Sequence, residues 1–382
     1  MFQNFSYFLS ILVIAVTFHH VLPPYWPRLR QISATIFSLI IILIISPISL
    51  VLALSVFGVV YAYILFFKII SRAKVYTYLF SIIIISFTVF AKYYPESLGA
   101  LEVIGISYVM LKALSVIWMV RWKNYKVDEI EFFDVLLLIL FFPIFSAGPI
   151  ERPKVFLEKN FARSFDVEDI GIGFYRIVLG IFKAHFVAGS VLAPIILKLG
   201  PVDGMSSSVI WVYIWLKFLA LYVGFSGYSD LAIGSGRLFG IKIVENFNMP
   251  FISGSIREFW TRWHISLGNF VNSFMFFPLV KMLRGRVEIS IFLSFVLVGL
   301  WHNLSWNYFI WGVGHGGLLA LYFFYDKKIK KKKDFNKFRK SSKIWRCVAI
   351  VGTVSYISAL SVFANSPDLE TGISVLKRAL FI

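Results

Sequence analysis

Residues 32–71 read ISATIFSLIIILIISPISLVLALSVFGVVYAYILFFKIIS, and this stretch decides the class of fold. The stretch contains a single charged residue, Lys68, and the residue directly after the stretch is Arg72. About 20 apolar residues cross the hydrocarbon of a bilayer as a helix, so the run is long enough for two spans. Pro47, with a serine on either side of its turn, favours a break between them. The stretch therefore predicts a pair of membrane-spanning helices.

The rest of the chain has the same character. Of its 382 residues, 59% are hydrophobic and 15% are charged, whereas about a quarter of a soluble domain is charged. The sequence predicts an all-α polytopic membrane protein with one membrane-embedded domain over residues 1–382. We expect the first apolar run to be a retained span and not a signal peptide. Further spans are expected at residues 5–22, 75–94, 103–120, 288–301, 305–325 and 344–365.

The chain is strongly basic, with a formal net charge of +18 from 38 Lys and Arg against 20 Asp and Glu. These residues gather in short loops between apolar runs, as the positive-inside rule expects of cytoplasmic loops. The densest run, residues 326–343, adjoins a span, and we place it in the cytoplasm. The charge indicates contact with membrane lipid headgroups, and no nucleic-acid partner is expected. The single cysteine, Cys347, excludes an intramolecular disulfide.

Two regions break the regular rhythm of spans. Between residues 131 and 170 a short apolar stretch ends in FPIFSAGPIERP, and residues 224–268 are rich in Gly, Asn and charged side chains. Lipid cannot satisfy the backbone groups that Pro and Gly release, so both regions are expected to pack inside the protein or line a cavity. Polar residues at such depth mark a pathway or a site. The glycines of GSGRLFG, residues 234–240, indicate close helix packing.

Among six histidines, His302 has the most apolar surroundings, in FVLVGLWHNLSW. Burying an imidazole without a hydrogen bond costs about 1–3 kcal/mol, so this residue must have a function or a satisfied partner. Burial also disfavours imidazolium, which would leave His302 neutral and able to act as a general base. A core histidine bonded to a backbone carbonyl is the alternative.

The other histidines lie in more polar surroundings. His264 belongs to REFWTRWHISL, where basic and aromatic residues alternate, and the pattern favours an amphipathic helix at the headgroups or along a polar cavity. His19 and His20 end the first span, and His185 lies in a mixed segment. No metal-ligand spacing and no Walker lysine motif occurs, so we expect neither a metal site nor an ATP-driven pump.

Together these motifs resemble the membrane-bound O-acyltransferase family, and within it the bacterial branch of alginate O-acetyltransferases and teichoic-acid D-alanyltransferases. The resemblance implies a ring of about 9–12 transmembrane helices with re-entrant segments and a central tunnel, in the bacterial cytoplasmic (inner) membrane. It makes His302 the catalytic histidine and His264 the second polar residue of the site. The matching stretches are residues 105–115, 141–153, 225–251, 255–267 and 299–316.

The resemblance further implies transfer of a short acyl group, acetyl in the first instance, to a cell-envelope polysaccharide or a relay protein. The co-substrate would be a cytoplasmic thioester, acetyl-CoA or an acyl carrier protein, with no bound cofactor and with an extracytoplasmic SGNH-type or relay protein as partner. Transfer of D-alanine from a carrier protein to teichoic acid is the alternative within this class. The rivals from other classes are a transporter or flippase, whose broken helices look similar, and a scaffold without activity.

The chain departs from the family pattern at two places. After RWHISL the family continues with an aromatic residue, an Arg-Asp pair and a Pro-Leu-Gly-Gly turn, whereas residues 268–285 read GNFVNSFMFFPLVKMLRG. The aspartate that precedes FSGYS in the family is Gly224. Both departures leave His264 and His302 in place.

Overall fold

A computed structural model of the protein describes residues 5–70, 74–98, 103–122, 126–157, 166–329 and 342–381. Of the described residues, 82% are helical, and none of them is in a β-strand. The predicted all-α class is therefore confirmed. The helices of the first half are α1 (Phe5–Val21), α2 (Pro27–Ile45), α3 (Pro47–Ile69), α4 (Lys74–Tyr93), α5 (Ile106–Arg121), α6 (Phe132–Leu140), α7 (Pro153–Leu157) and α8 (Val167–Ile181).

The second half of the chain mixes long helices with very short ones. Two π-helical segments, Phe182–Leu192 and Asn272–Phe276, continue the helices that precede them. The remaining helices are α9 (Ala193–Leu199), α10 (Ser207–Leu238), α11 (Ile256–Trp260), α12 (Ile265–Val271), α13 (Phe277–Met282), α14 (Val287–His302), α15 (Trp306–Ile329), α16 (Lys343–Asn365) and α17 (Leu369–Ala379).

Several of these elements can cross a membrane. Within the described residues, six are long and apolar enough: Pro27–Ile45, Pro47–Ile69, Val75–Tyr93, Val167–Leu199, Ser207–Leu238 and Lys343–Asn365. Two shorter apolar segments, Ser10–Val21 and Val287–His302, accompany them. The chain is thus a multi-pass membrane protein, while the ring, the tunnel and the count of 9–12 stay predictions.

The turn predicted at Pro47 separates α2 from α3. Ser46 has extended backbone angles, and its hydroxyl oxygen accepts a hydrogen bond from the Ser49 N–H at 3.3 Å. Pro47 takes the first helical position, where its missing N–H costs nothing. The cap satisfies one of the free donors at the start of α3.

Contacts divide the chain into two compact units. The first contains Met1–Gly180 and Tyr228–Val244, and the second contains Ile181–Gly227 and Glu245–Ile382. The boundary falls within α10, so residues 207–227 belong to the second unit and residues 228–238 to the first. The prediction of one domain over residues 1–382 stays a prediction.

In the first unit, two ion pairs join α8 to the end of α10. Arg237 lies 2.5 Å from Asp169, and Arg176 lies 2.7 Å from Asp230. Between these pairs the helices touch at glycine, since a Cβ on Gly234 would lie 2.6 Å from the Gly173 carbonyl oxygen. Close packing through the glycines is thereby confirmed.

The expected backbone break is wrong over residues 224–238, which are helical. The glycines there release no backbone groups, because they serve helix contact instead of turns. The chain leaves the helix only after Leu238, with Gly240 in a left-handed conformation (φ 70°).

The other predicted break, residues 142–153, is non-helical from 145 to 152, and it is largely buried up to Glu151. Phe141 and Ile144 are fully enclosed, and Glu151 is 3% exposed. The Glu151 carboxylate accepts the Val244 N–H at 2.7 Å. Nearby, the ammonium of buried Lys112 donates to the Ile139 carbonyl at 2.6 Å. The burial of this segment confirms the prediction that it packs inside the protein.

In the second unit, α14 and α15 form a tightly packed hairpin. A Cβ on Gly312 would lie 2.7 Å from the Phe295 carbonyl oxygen, and one on Gly316 would lie 2.9 Å from that of Phe292. A Cβ on Gly299 would overlap the carbonyl of Tyr308. These glycines bring the two helix backbones into contact, as small residues do between membrane helices. The hairpin fixes the end of α14 against the start of α15.

Gly312→Ala should destabilise this hairpin, because its methyl group meets backbone that cannot rotate away. We expect a loss of about 1–3 kcal/mol, the usual cost of overpacking, seen as a lower melting temperature of the detergent-solubilised protein. Gly317→Ala in the same helix is the matched control, since a Cβ there has no neighbour within 4 Å. Equal melting temperatures for the two variants would contradict the proposed contact.

Candidate active site

His302 is the last residue of α14, and Asn303 after it is already extended (φ −158°, ψ 138°). Its ring contacts three aromatic rings, with centroids 4.5 Å from Trp301, 5.7 Å from Trp311 and 5.8 Å from Tyr308. The side chain is half-buried. The expectation of a buried His302 is therefore wrong, since the side chain stays partly exposed where the helix ends.

His264 lies in a turn between two short helices, α11 and α12. Its backbone is left-handed (φ 45°, ψ 52°), and its side chain is 3% exposed. The predicted single amphipathic helix over REFWTRWHISL is thus wrong. The non-helical segment 246–248 holds this turn through two backbone hydrogen bonds. The Ile265 N–H donates to the Asn246 carbonyl at 2.9 Å, and the Asn248 N–H donates to the Arg262 carbonyl at 2.9 Å.

The amide oxygen of Asn246 fixes the tautomer of His264. This oxygen accepts the Ser266 N–H at 3.3 Å and the Ser266 hydroxyl at 2.8 Å, and it lies 3.1 Å from His264 Nδ1. A backbone N–H can only donate, so the amide atom that faces it is the oxygen. His264 Nδ1 therefore carries the hydrogen, and in the neutral ring the acceptor is Nε2. Asn246 itself is completely buried.

The two predicted site residues lie in the same compact unit. Burial, and repulsion from the nearby His302 imidazole, lower the pKa of His264 to about 3. Phe225 packs edge-on against the His264 ring at 4.9 Å. The site thus combines an enclosed histidine of fixed tautomer with a half-buried histidine at a helix end.

The remaining histidines occupy other places. His19 and His20 belong to the first unit, where His20 Nε2 lies 2.8 Å from the Leu238 carbonyl oxygen. His185 lies in the first π-helical segment. His315, on α15, lies one aromatic ring away from His302, because Trp311 contacts both rings.

Sequence reasoning missed Asn246, Trp311 and His315 as parts of this site. Trp311 and His315 are four residues apart on α15 and so share a face, a signal that the sequence contains. Asn246 gives no such signal, since it lies outside any helix and reaches His264 only through the fold.

The sequence profile of the membrane-bound O-acyltransferase family matches residues 29–362. The chain belongs to this family and is therefore a membrane-bound enzyme of the O-acyltransferase class. This confirms the predicted family and enzyme class, and it argues against a transporter.

Individual relatives fall in more than one group. A teichoic acid D-alanyltransferase from Bacillus subtilis is 30% identical over 277 residues, which cover 69% of this chain and 69% of the relative. A probable alginate O-acetylase from Azotobacter vinelandii is 34% identical over 57% of this chain and 44% of the relative. A peptidoglycan O-acetyltransferase from Helicobacter pylori is 32% identical over 65% and 46%. The chain spans less than half the length of these two acetyltransferases.

Asn246→Ala should destabilise the site, because it removes the acceptor of three donors at once. A buried donor left without a partner costs about 1–3 kcal/mol, so we expect the melting temperature to fall by about 5 °C or more. Asn269→Ala on α12 is the matched control, since no hydrogen bond of its side chain occurs in the part of the chain that the structure describes. An Asn246→Ala protein as stable as this control would contradict the tautomer argument.

Proposed function

We propose that this enzyme transfers a short acyl group from a cytoplasmic thioester to a hydroxyl of the cell envelope. Acetyl is the first candidate for this group. The donor would be acetyl-CoA or an acyl carrier protein, and the acceptor a polysaccharide or a relay protein. The observation that supports this most directly is the pair of histidines, His302 and His264, in one unit of an O-acyltransferase. The enzyme would work in the bacterial cytoplasmic (inner) membrane, as one domain over residues 1–382.

In this proposal His302 is the general base. It takes the proton of the acceptor hydroxyl as the oxygen attacks the thioester carbonyl, so that a C–O bond forms and the C–S bond breaks. The proton then passes from His302 to the leaving thiolate. Its position supports this role, because the last turn of a helix stabilises a cation by about 0.3–1 kcal/mol, and His302 becomes one transiently. Its half-buried side chain leaves room for a substrate.

His264 has a different role in the proposal. Its Nδ1–H is committed to Asn246, so the ring meets a substrate only through Nε2, which accepts a hydrogen bond when neutral. Such an acceptor can bind a second hydroxyl or another donor group of the substrate, while the attacking hydroxyl donates its single proton to His302. Burial and the neighbouring His302 lower the pKa of His264, which supports a division of labour in which His264 stays neutral while His302 takes the proton.

A second candidate within the same class is transfer of D-alanine from a carrier protein to teichoic acid. The relative from Bacillus subtilis supports it, because that alignment covers 69% of both chains, against 44% and 46% of the two acetyltransferases. Both candidates use a thioester donor and a hydroxyl acceptor. An extracytoplasmic SGNH-type or relay protein would act as partner in the acetyl case.

The experiment is complementation of a deletion strain with wild type, His302→Ala or His264→Ala, followed by mass analysis of envelope esters. We expect wild type to restore acetyl or D-alanyl esters, and which ester returns decides between the candidates. His302→Ala should restore less than about one hundredth, because a positioned acid–base group contributes about 10²–10⁴-fold.

Two controls make the result interpretable. Each variant is compared at equal abundance by blot, and His185→Ala serves as a histidine variant outside the proposed pair. Full restoration by His302→Ala would make that residue structural and refute the mechanism. A deletion strain with unchanged acetyl and D-alanyl ester content would refute both candidates.

A further inference from the structure

Two buried polar atoms of the second unit point to a binding site next to His302. His315 is 1% exposed, and its Nδ1 has no hydrogen-bond partner in the described part of the chain. The indole Nε1 of Trp260 is also buried, and it too has no partner among the described residues. The two rings are edge to face, with centroids 5.1 Å apart. One site thus holds an obligate donor and a ring nitrogen that can accept.

Aromatic rings enclose this pair. Trp311 lies 4.5 Å from His315 and 5.9 Å from Trp260, and Phe295 lies 4.7 Å from Trp260. Trp311 also lies 5.7 Å from His302. The polar pair is therefore displaced from the proposed base by the width of one aromatic ring. Apolar walls around a few polar groups are typical of small-molecule sites.

The direction of this displacement follows from α15. The helix starts four residues after His302 and runs past His315 to Ile329. It thus ends in the basic run of residues 326–343, which contains ten Lys or Arg. By the positive-inside rule that end faces the cytoplasm. His315 therefore lies between His302 and the side from which a cytoplasmic donor would enter.

We propose that Trp260 and His315 bind the cysteamine amide of a phosphopantetheine arm. The indole N–H of Trp260 donates to the amide carbonyl, and Nδ1 of a neutral His315 accepts the amide N–H. This inference rests on the proposed function, since it assumes a thioester donor. It identifies the part of the donor that the enzyme recognises.

A secondary amide fits this site better than other groups do. It offers one acceptor and one donor, which complements the indole N–H and the imidazole nitrogen. In a phosphopantetheine thioester, only the sulfur and an ethylene group separate the acyl carbon from this amide, a span comparable to the ring of Trp311. Coenzyme A and acyl carrier proteins share this arm, so a single site would serve either donor.

The test compares two thioesters of equal chain length, with purified full-length protein and envelope from the deletion strain as acceptor. S-acetyl-N-acetylcysteamine contains the amide, and S-pentyl thioacetate replaces it with methylenes. Thiol release gives kcat/KM for each. We expect Trp260→Phe and His315→Phe each to lower kcat/KM for the amide thioester about tenfold, with S-pentyl thioacetate changed less than about twofold.

Conservative variants separate binding from folding. Trp215→Phe on α10 makes the same chemical change at an exposed tryptophan and should leave the preference for the amide thioester intact. His315→Gln restores an acceptor and should regain part of it. Partition of the apolar thioester into detergent is the same for every variant and cancels.

Two outcomes would overturn the inference alone. In one, wild type consumes both thioesters equally well. In the other, the two Phe variants lower both kcat/KM values by the same factor, which indicates a purely structural role. If wild type consumes neither thioester, the proposed function fails together with this inference.

Discussion

A backbone in lipid must satisfy its own hydrogen bonds, and the rest of this structure depends on that constraint. Where the chain is helical the bonds lie within the helix. Elsewhere, and in the first and last turns of helices, buried side chains supply them: Glu151 accepts the N–H of Val244, Lys112 donates to the carbonyl of Ile139, and Asn246 accepts the N–H of Ser266. Polar residues in the apolar interior thus hold the irregular segments in place before they take part in any chemistry.

Asn246 shows how the same constraint shapes the site. Its side chain satisfies the backbone at the start of α12, and the same oxygen accepts a hydrogen bond from the Nδ1–H of His264. Its own carbonyl closes the turn through the N–H of Ile265. Asn246 therefore supports the turn and also sets the tautomer of His264. The hydrogen bond made by one ring nitrogen decides the state of the other.

The sequence predicted the long helices well, because a run of apolar residues closed by charges or proline reads directly as a span. The turn at Pro47 and the hairpin of α14 and α15 lie within a few residues of their expected places. The motifs shared with the family predicted His264 and His302 as site residues. The burial of His302 was predicted wrongly because apolar neighbours along a helix do not reveal where that helix ends. The helical course of residues 224–238 was missed because glycine between helices and glycine in a turn look alike in a sequence.

The contact between α14 and α15 has a consequence for motion. Helices that touch through backbone atoms cannot slide or separate without losing that contact along its length, so the hairpin behaves as a stiff frame for His302, Trp311 and His315. The segment from α11 to α13 consists of helices of five to seven residues joined by turns and a π-helical stretch. Short, interrupted helices open at a lower free energy than long packed ones. The rigidity of the second unit therefore resides in the hairpin, which keeps the rings of His302, Trp311 and His315 at a fixed spacing.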